Sequence, residues 1–265
     1  MMANVLANSV ELALGRGPSL EQVMQTRDSW RDGRMETSPS GSWMVIFPQF
    51  VNTSPTVVGE LPFRRSLLHS IDRRQLVDAF MAGLVPVAHT LVSPSQPEFA
   101  DIESSIVAYD YDPRRAAQLI EGLGYVKGGD GYFRDASGQQ LAVELRTTGD
   151  NDIHRKLILP VADAWQRVGV ATEPVVVPVQ RQREAEYMVS FPGFLMLLQG
   201  NYLLNLPNLQ SSRASLPENN YVPIGNYSRY MNPEFDALID QYSSRFHGRS
   251  ACRCWAAWWD TSAIG

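Results

Sequence analysis

The chain has 265 residues, of which 44% are hydrophobic and 19% charged, with a formal net charge of −5. That is ordinary globular composition, with enough apolar material for one large domain or two small ones. It excludes a broad basic face, so no nucleic acid partner is expected, and no stretch approaches the roughly 20 apolar residues of a membrane-spanning helix.

The N-terminus, Met1-Met2-Ala3-Asn4-Val5-Leu6-Ala7-Asn8, lacks a basic region and a long apolar run, so no secretion signal is read there. The opening segment reads as helix, strand, helix: Val10, Leu12 and Leu14 alternate, and Ser19-Leu20-Glu21-Gln22 fits a capping box. Residues 31–41 are polar and rich in turn formers. Residues 43–51 form a nearly continuous apolar run that predicts a buried strand, with Pro48 marking its end, an edge or a bulge.

Pro62-Phe63-Arg64-Arg65 opens a helix with Leu67, Leu68 and Ile71 on its apolar stripe. Asp72-Arg73-Arg74-Gln75 is a second capping box, and Gly83 a stop. Residues 84–97 are proline-rich and irregular. Asp112-Pro113 combines an N-cap with proline at the first helical position, and Gly122 and Gly124 mark that helix's end. Tyr132-Phe133 and residues 141–145 flank Ala136-Ser137-Gly138, which predicts a β-hairpin. Ile153, Leu157, Val161, Trp165 and Val168 recur at helical spacing, and Val175-Val176-Val177 follows as a strand. The alternation predicts an α/β or mixed α+β domain built round a sheet.

Chemistry-bearing patterns are sparse. His69, His89, His154 and His247 are scattered without metal-ligand spacing, and His69 and His154 read as surface or capping residues on helices. No nucleophile elbow, P-loop or dinucleotide fingerprint occurs, so neither catalytic residues nor cofactor are expected. Arg64-Arg65 and Arg73-Arg74 read first as a solvated basic face and second as a docking point for an acidic partner. Residues 187–230 are rich in Phe, Tyr, Asn and Gln and poor in regular pattern, the make-up of cleft-lining loops. Gln199, Asn201, Tyr202, Arg213 and Asn220 are the candidate ligand contacts, each weighed against an ordinary loop role.

The order of motifs resembles family 5 extracellular solute-binding proteins, the peptide, dipeptide and nickel-type binding subunits of ABC importers. The resemblance rests on the helix Phe63-Arg64-Arg65-Ser66-Leu67-Leu68-His69-Ser70-Ile71-Asp72-Arg73, preceded by Phe50-Val51-Asn52 and Pro55. It continues through Tyr111-Asp112-Pro113 with Ala116, Leu119 and Gly124-Tyr125, then Asp130-Gly131 and Asp135-Ala136-Ser137-Gly138. Asn226-Tyr227-Ser228-Arg229-Tyr230 and Asn232-Pro233-Glu234-Phe235-Asp236-Ala237-Leu238-Ile239 complete it, so that it spans residues 3–242.

The resemblance implies a class II periplasmic-binding-protein-like fold, in which two lobes close on a small polar solute and present it to a membrane ABC permease. By that map residues 1–58 are a remnant of lobe one and the hinge, 59–225 are lobe two, and 226–242 begin the return to lobe one. The family acts in the periplasm or outside the cell, but as written nothing would export this chain. Peptide-binding relatives carry an acidic residue for the ligand's amino terminus near residues 206–220. This sequence has Leu206-Pro207-Asn208-Leu209 and Pro217-Glu218-Asn219-Asn220 there instead.

Residues 243–265 change character: they hold Cys252, Cys254, Trp255, Trp258 and Trp259. Read one base out of register, suitable codons from Ser243 onward encode a string much closer to the family, which points to a frameshift near Tyr242. The alternatives are a native Trp-rich extension and a Cys-x-Cys metal pair. The rival to the whole reading is an α/β hydrolase or transferase-like enzyme, which would need a nucleophile–base pair that the sequence does not display.

Overall fold

The computed structural model describes residues 2–7, 9–11, 20–27, 29–30, 33–34, 36, 41–222 and 225–244. The alternation at Leu12 and Leu14, the Ser19 cap, His247 and the whole Cys- and Trp-rich tail lie outside the described residues. Two short helices, α1 (Met2–Leu6) and α2 (Leu20–Arg27), precede strand β1 (Trp43–Pro48). Proline does end that strand, because it has no N–H to continue the ladder. Then come α3 (Leu61–His69), α4 (Arg73–Met81), a one-turn α5 (Phe99–Ile102) and α6 (Pro113–Glu121).

The N-caps act as the sequence indicates, although at Asp72 only the capping half of the expected box forms among the described residues. The Asp72 carboxylate accepts from the Gln75 N–H at 2.9 Å, and Asp112 accepts from the Arg115 N–H at 2.9 Å. Each satisfies a helix-start donor that has no partner inside the helix. Residues 64 and 73 depart from the solvated-face reading. The Arg64 guanidinium donates to the Val58 carbonyl at 3.2 Å, and Arg73 donates to the carbonyls of Ala88 at 2.8 Å and Tyr109 at 2.5 Å.

After α6 come β2 (Val126–Lys127), β3 (Phe133–Arg134) and β4 (Ala142–Thr148). Helix α7 (Asp152–Val168), β5 (Ala171–Val177), α8 (Ala185–Val189), β6 (Phe194–Gln199) and α9 (Pro233–Ser244) follow. The main sheet has the order β1-β6-β4-β5. Strands β4, β5 and β6 run parallel, and β1 is antiparallel to β6, with Trp43 opposite Gln199.

Two expectations are corrected here. The hairpin around Ala136-Ser137-Gly138 forms but is shorter than expected: Arg134 and Gln140 make an antiparallel bridge, the Asp135 N–H donates to the Gln139 carbonyl and the Leu141 N–H to the Phe133 carbonyl. Strand β4 then leaves to pair with β5 and β6, while β3 pairs with β2. Within residues 187–230, read as irregular, β6 is an inner strand of the sheet.

One face of the sheet is covered by α3, α6 and α7. Phe63, Leu67, Ala116, Ile120, Ile158, Val161 and Trp165 close over Val143, Leu145, Phe194 and Met196. The Trp165 and Phe194 rings meet edge to face, 5.0 Å between centroids. The opposite face is covered more thinly, by Phe191 and Tyr227 over Phe47, Leu195 and Leu197. A second apolar cluster joins Val92 and Ile102 to Leu203, Leu206 and three residues of α9, Phe235, Ile239 and Tyr242.

Candidate functional site

Parallel strands place all their carboxyl ends on one edge of a sheet, and the loops leaving that edge are free to vary without disturbing the ladder. Here that edge holds Thr148 of β4, Val177 of β5 and Gln199 of β6. The antiparallel β1 brings its first residue, Trp43, to the same edge opposite Gln199.

Three of the five sequence candidates meet at this edge. The Gln199 side chain hydrogen-bonds the Tyr227 hydroxyl, and burial raises the pKa of that phenol. Asn201 is buried, and its Oδ1 accepts from the Gly41 N–H at 2.9 Å. Its backbone carbonyl accepts from the Gln96 amide at 2.7 Å. The other end of that amide, Gln96 Oε1, is buried without a hydrogen-bond partner. The Tyr202 ring is half exposed, and the Asn205 amide donates to the Gly200 carbonyl at 3.1 Å, which braces the loop from below.

Asn201 is therefore a loop anchor whose carbonyl side is already occupied, whereas Tyr202 offers an open aromatic surface. Arg213 and Asn220 lie on later turns. Arg213 is exposed in a single 3-10 turn, and Asn220 is exposed in a left-handed conformation after another. No hydrogen bond among the described residues ties either one to Gln199, Asn201 or Tyr202.

The sequence reading missed the most organised part of this edge. His154, taken as a surface or capping residue, is buried, and so is His69. The Leu198 N–H donates to His154 Nε2 at 2.8 Å, and Thr148 Oγ1 lies 2.8 Å from Nδ1. A backbone donor aimed at Nε2 assigns the ring proton to Nδ1. Thr148 in turn hydrogen-bonds the exposed Asp150 carboxylate, holding its pKa below the usual value. The relay runs from a backbone N–H of β6, through the first turns of α7, to a carboxylate at the surface. Burial holds the His154 pKa down, opposed by Asp150, so the ring is neutral.

A signal for His154 exists in the sequence. Helix α7 buries His154, Ile158, Val161, Ala162, Trp165 and Val168. This stripe starts one residue later than the expected series from Ile153, and only an apolar count hides the histidine at its head. The Asn151 side chain caps the helix by accepting from the Ile153 N–H at 3.0 Å.

Among the described residues no group of three or more His, Cys, Asp or Glu side chains stands close enough to hold a metal ion. Nor is any described helix long and apolar enough to cross a membrane.

Residues 1–215 match the family model described as "Bacterial extracellular solute-binding proteins, family 5 Middle". The chain is 27% identical over 119 residues to the nickel-binding periplasmic protein of Escherichia coli, covering 45% of this chain and 22% of that protein. It is 25% identical over 202 residues to heme-binding protein A of Haemophilus influenzae, covering 72% of this chain and 32% of the relative. The chain thus spans less than a third of the length of these curated relatives. Its fold matches that of the oligopeptide-binding protein of Bacillus subtilis in complex with a nonapeptide, at a TM-score of 0.71 and 17% identity. That superposition covers 97% of this chain and 48% of the other.

Proposed function

The chain belongs to the family 5 bacterial extracellular solute-binding proteins, and on that premise we propose that it forms one wall of a two-lobed cleft that binds a small polar solute. The solute is then delivered to an ABC permease in the membrane, and the place of action is the periplasm or the cell exterior. Residues 59–225 are the lobe that supplies this wall, residues 1–58 and 226–242 belong to the hinge and to lobe one, and the chain catalyses no reaction. The observation that carries the reading is the family match combined with the position of Gln199, Asn201 and Tyr202 at the carboxyl edge of the parallel strands. That edge is where open α/β sheets bind ligands.

The geometry supports a division of labour at the edge. Asn201 and Gln96 fix the loop, Gln199 and Tyr202 contact the solute, and the His154 relay holds β6 in register beneath them. Arg213 and Asn220 contribute from the outer turns. Solute binding favours the closed arrangement of the two lobes by the difference in its affinity for closed and open forms, and the permease reads the closed form. The hydrolase or transferase alternative gains no support from the family match.

Good pockets bury 70% or more of a ligand, and one wall does not do so. Isothermal titration of the 265-residue chain with an oligopeptide library is expected to give affinities weaker than about 1 mM, roughly −4 kcal/mol. Micromolar binding by the chain alone would contradict the one-wall reading. Turnover in a screen of ester and amide substrates would contradict the non-catalytic one.

A further inference from the structure

Arg146 and Arg229 are both almost wholly buried, 5% and 6% exposed. Burying a guanidinium is costly unless an anion compensates it, since arginine does not shed its charge. Arg146 is compensated: its Nε donates to Glu144 Oε1 at 2.7 Å, a second nitrogen donates to the Tyr187 carbonyl, and the cation lies over the Tyr187 ring.

Arg229 has no such partner among the described residues. Its Nε donates to Gln49 Oε1 at 3.0 Å and its Nη2 to the Val51 carbonyl at 3.4 Å, both neutral acceptors. Its electrostatic neighbour is the Tyr221 phenol, itself hydrogen-bonded to Glu186 at 3.1 Å. Gln49 cannot change its role. It is completely buried, its amide donates to the Val189 carbonyl, and its Oε1 accepts from the N–H groups of Phe50 and Val51 as well as from Arg229. The remaining nitrogen, Nη1, makes no hydrogen bond among the described residues and keeps some contact with solvent. The spot lies where the exit from β1 runs beside residues 228–230, joined by the Phe50 N–H to the Ser228 carbonyl and by the Phe50 and Tyr230 rings at 4.9 Å.

We propose that Arg229 is a binding point for a carboxylate group, received on Nη1 beside the Tyr221 hydroxyl. The carboxylate comes either from a free small acid or from an Asp or Glu side chain of a polypeptide segment packed against this face. The site stands apart from the solute edge, so its test does not depend on solute binding.

The experiment titrates the ¹³C,¹⁵N-labelled full chain and follows arginine side-chain resonances, each assigned by through-bond correlation to its own backbone amide. Sodium acetate and a capped Gly-Glu-Gly peptide are the probes, and sodium chloride at matched ionic strength is the control. A saturable shift of the Arg229 resonance with acetate, absent with chloride and absent at exposed Arg114, is the expected result. The peptide arm tells the sources apart: a shift with both probes fits a side-chain carboxylate, and a shift with acetate alone fits a small acid. No shift with either probe, or the same unsaturated drift at Arg229 and Arg114, overturns the proposal. Because the titration uses the wild-type chain, a poorly folding variant does not obscure the answer.

Discussion

His154 Nε2 accepts the Leu198 N–H at 2.8 Å, a side chain of α7 holding the backbone of β6 one residue before Gln199. This single bond couples the helix that covers the sheet to the loop on which the solute site is proposed. His154→Ala leaves that N–H in a partly buried place without an acceptor, and such losses cost about 1–3 kcal/mol. His154→Gln, which can offer a carbonyl oxygen, is expected to recover part of the loss. Urea unfolding of the three proteins measures both effects, with amide exchange at Leu198 rising in the alanine variant.

The same relay sets a pH dependence. The His154 pKa is lowered in the folded chain, first by burial, from the usual 6.5. The unfolded chain therefore binds the proton more readily, and stability falls as pH drops below 6.5 toward the folded value. His89 is lowered as well, by burial and then by Arg73, and adds to the loss with the same sign. Asp150, lowered first by its bond from Thr148, extends the loss to more acidic pH, through and below the usual 3.8. Unfolding free energies at pH 7.5 and 5.5 are expected to show a less stable protein at the lower pH, with a smaller difference in His154→Gln.

Trp165 is 1% exposed at the centre of the core, and its indole N–H is buried without a partner. Trp165→Ala is expected to destabilise by about 3–5 kcal/mol, the usual range for removing a large core aromatic. Trp165→Phe keeps most of the apolar surface and removes the unpaired donor, so its loss is expected to be clearly smaller. Denaturant titration of the two variants orders them.

Gly169 ends α7 at φ +113, and a Cβ there would stand 2.8 Å from the Gly131 carbonyl oxygen. Both the left-handed backbone and the contact oppose a side chain, so Gly169→Ala is expected to cost more than about 1 kcal/mol. An exposed glycine with open space around it, Gly129, is the control, and thermal unfolding separates the two.

Local signals in the sequence carried well. The Asp72 and Asp112 caps, the strand ending at Pro48 and the strand at Val175-Val176-Val177 all follow from chemistry within a few residues. What failed was partnership. Residues 141–145 were recognisable as a strand, but alternation does not say which strand lies beside it, and β4 joined β5 and β6 instead of β3. Strand β6 was missed because Phe194-Leu195-Met196-Leu197-Leu198 is a short apolar run without alternation, set among aromatics and amides that read as loop.

The site was legible to the same extent. Gln199, Asn201 and Tyr202 came together because they adjoin one strand end, whereas Arg213 and Asn220 share only their composition with them. His154 was hidden because a buried histidine and a surface one look alike until the acceptor role of its ring is visible.

The most direct test of the central claim is a ¹H–¹⁵N chemical-shift map of the chain with trialanine added to saturation of any response. The account expects weak shifts concentrated at residues 148–154 and 199–202, the carboxyl edge of the parallel strands. Shifts confined to the α4–α7 surface around Phe80 and Leu159, with that edge unmoved, would contradict it.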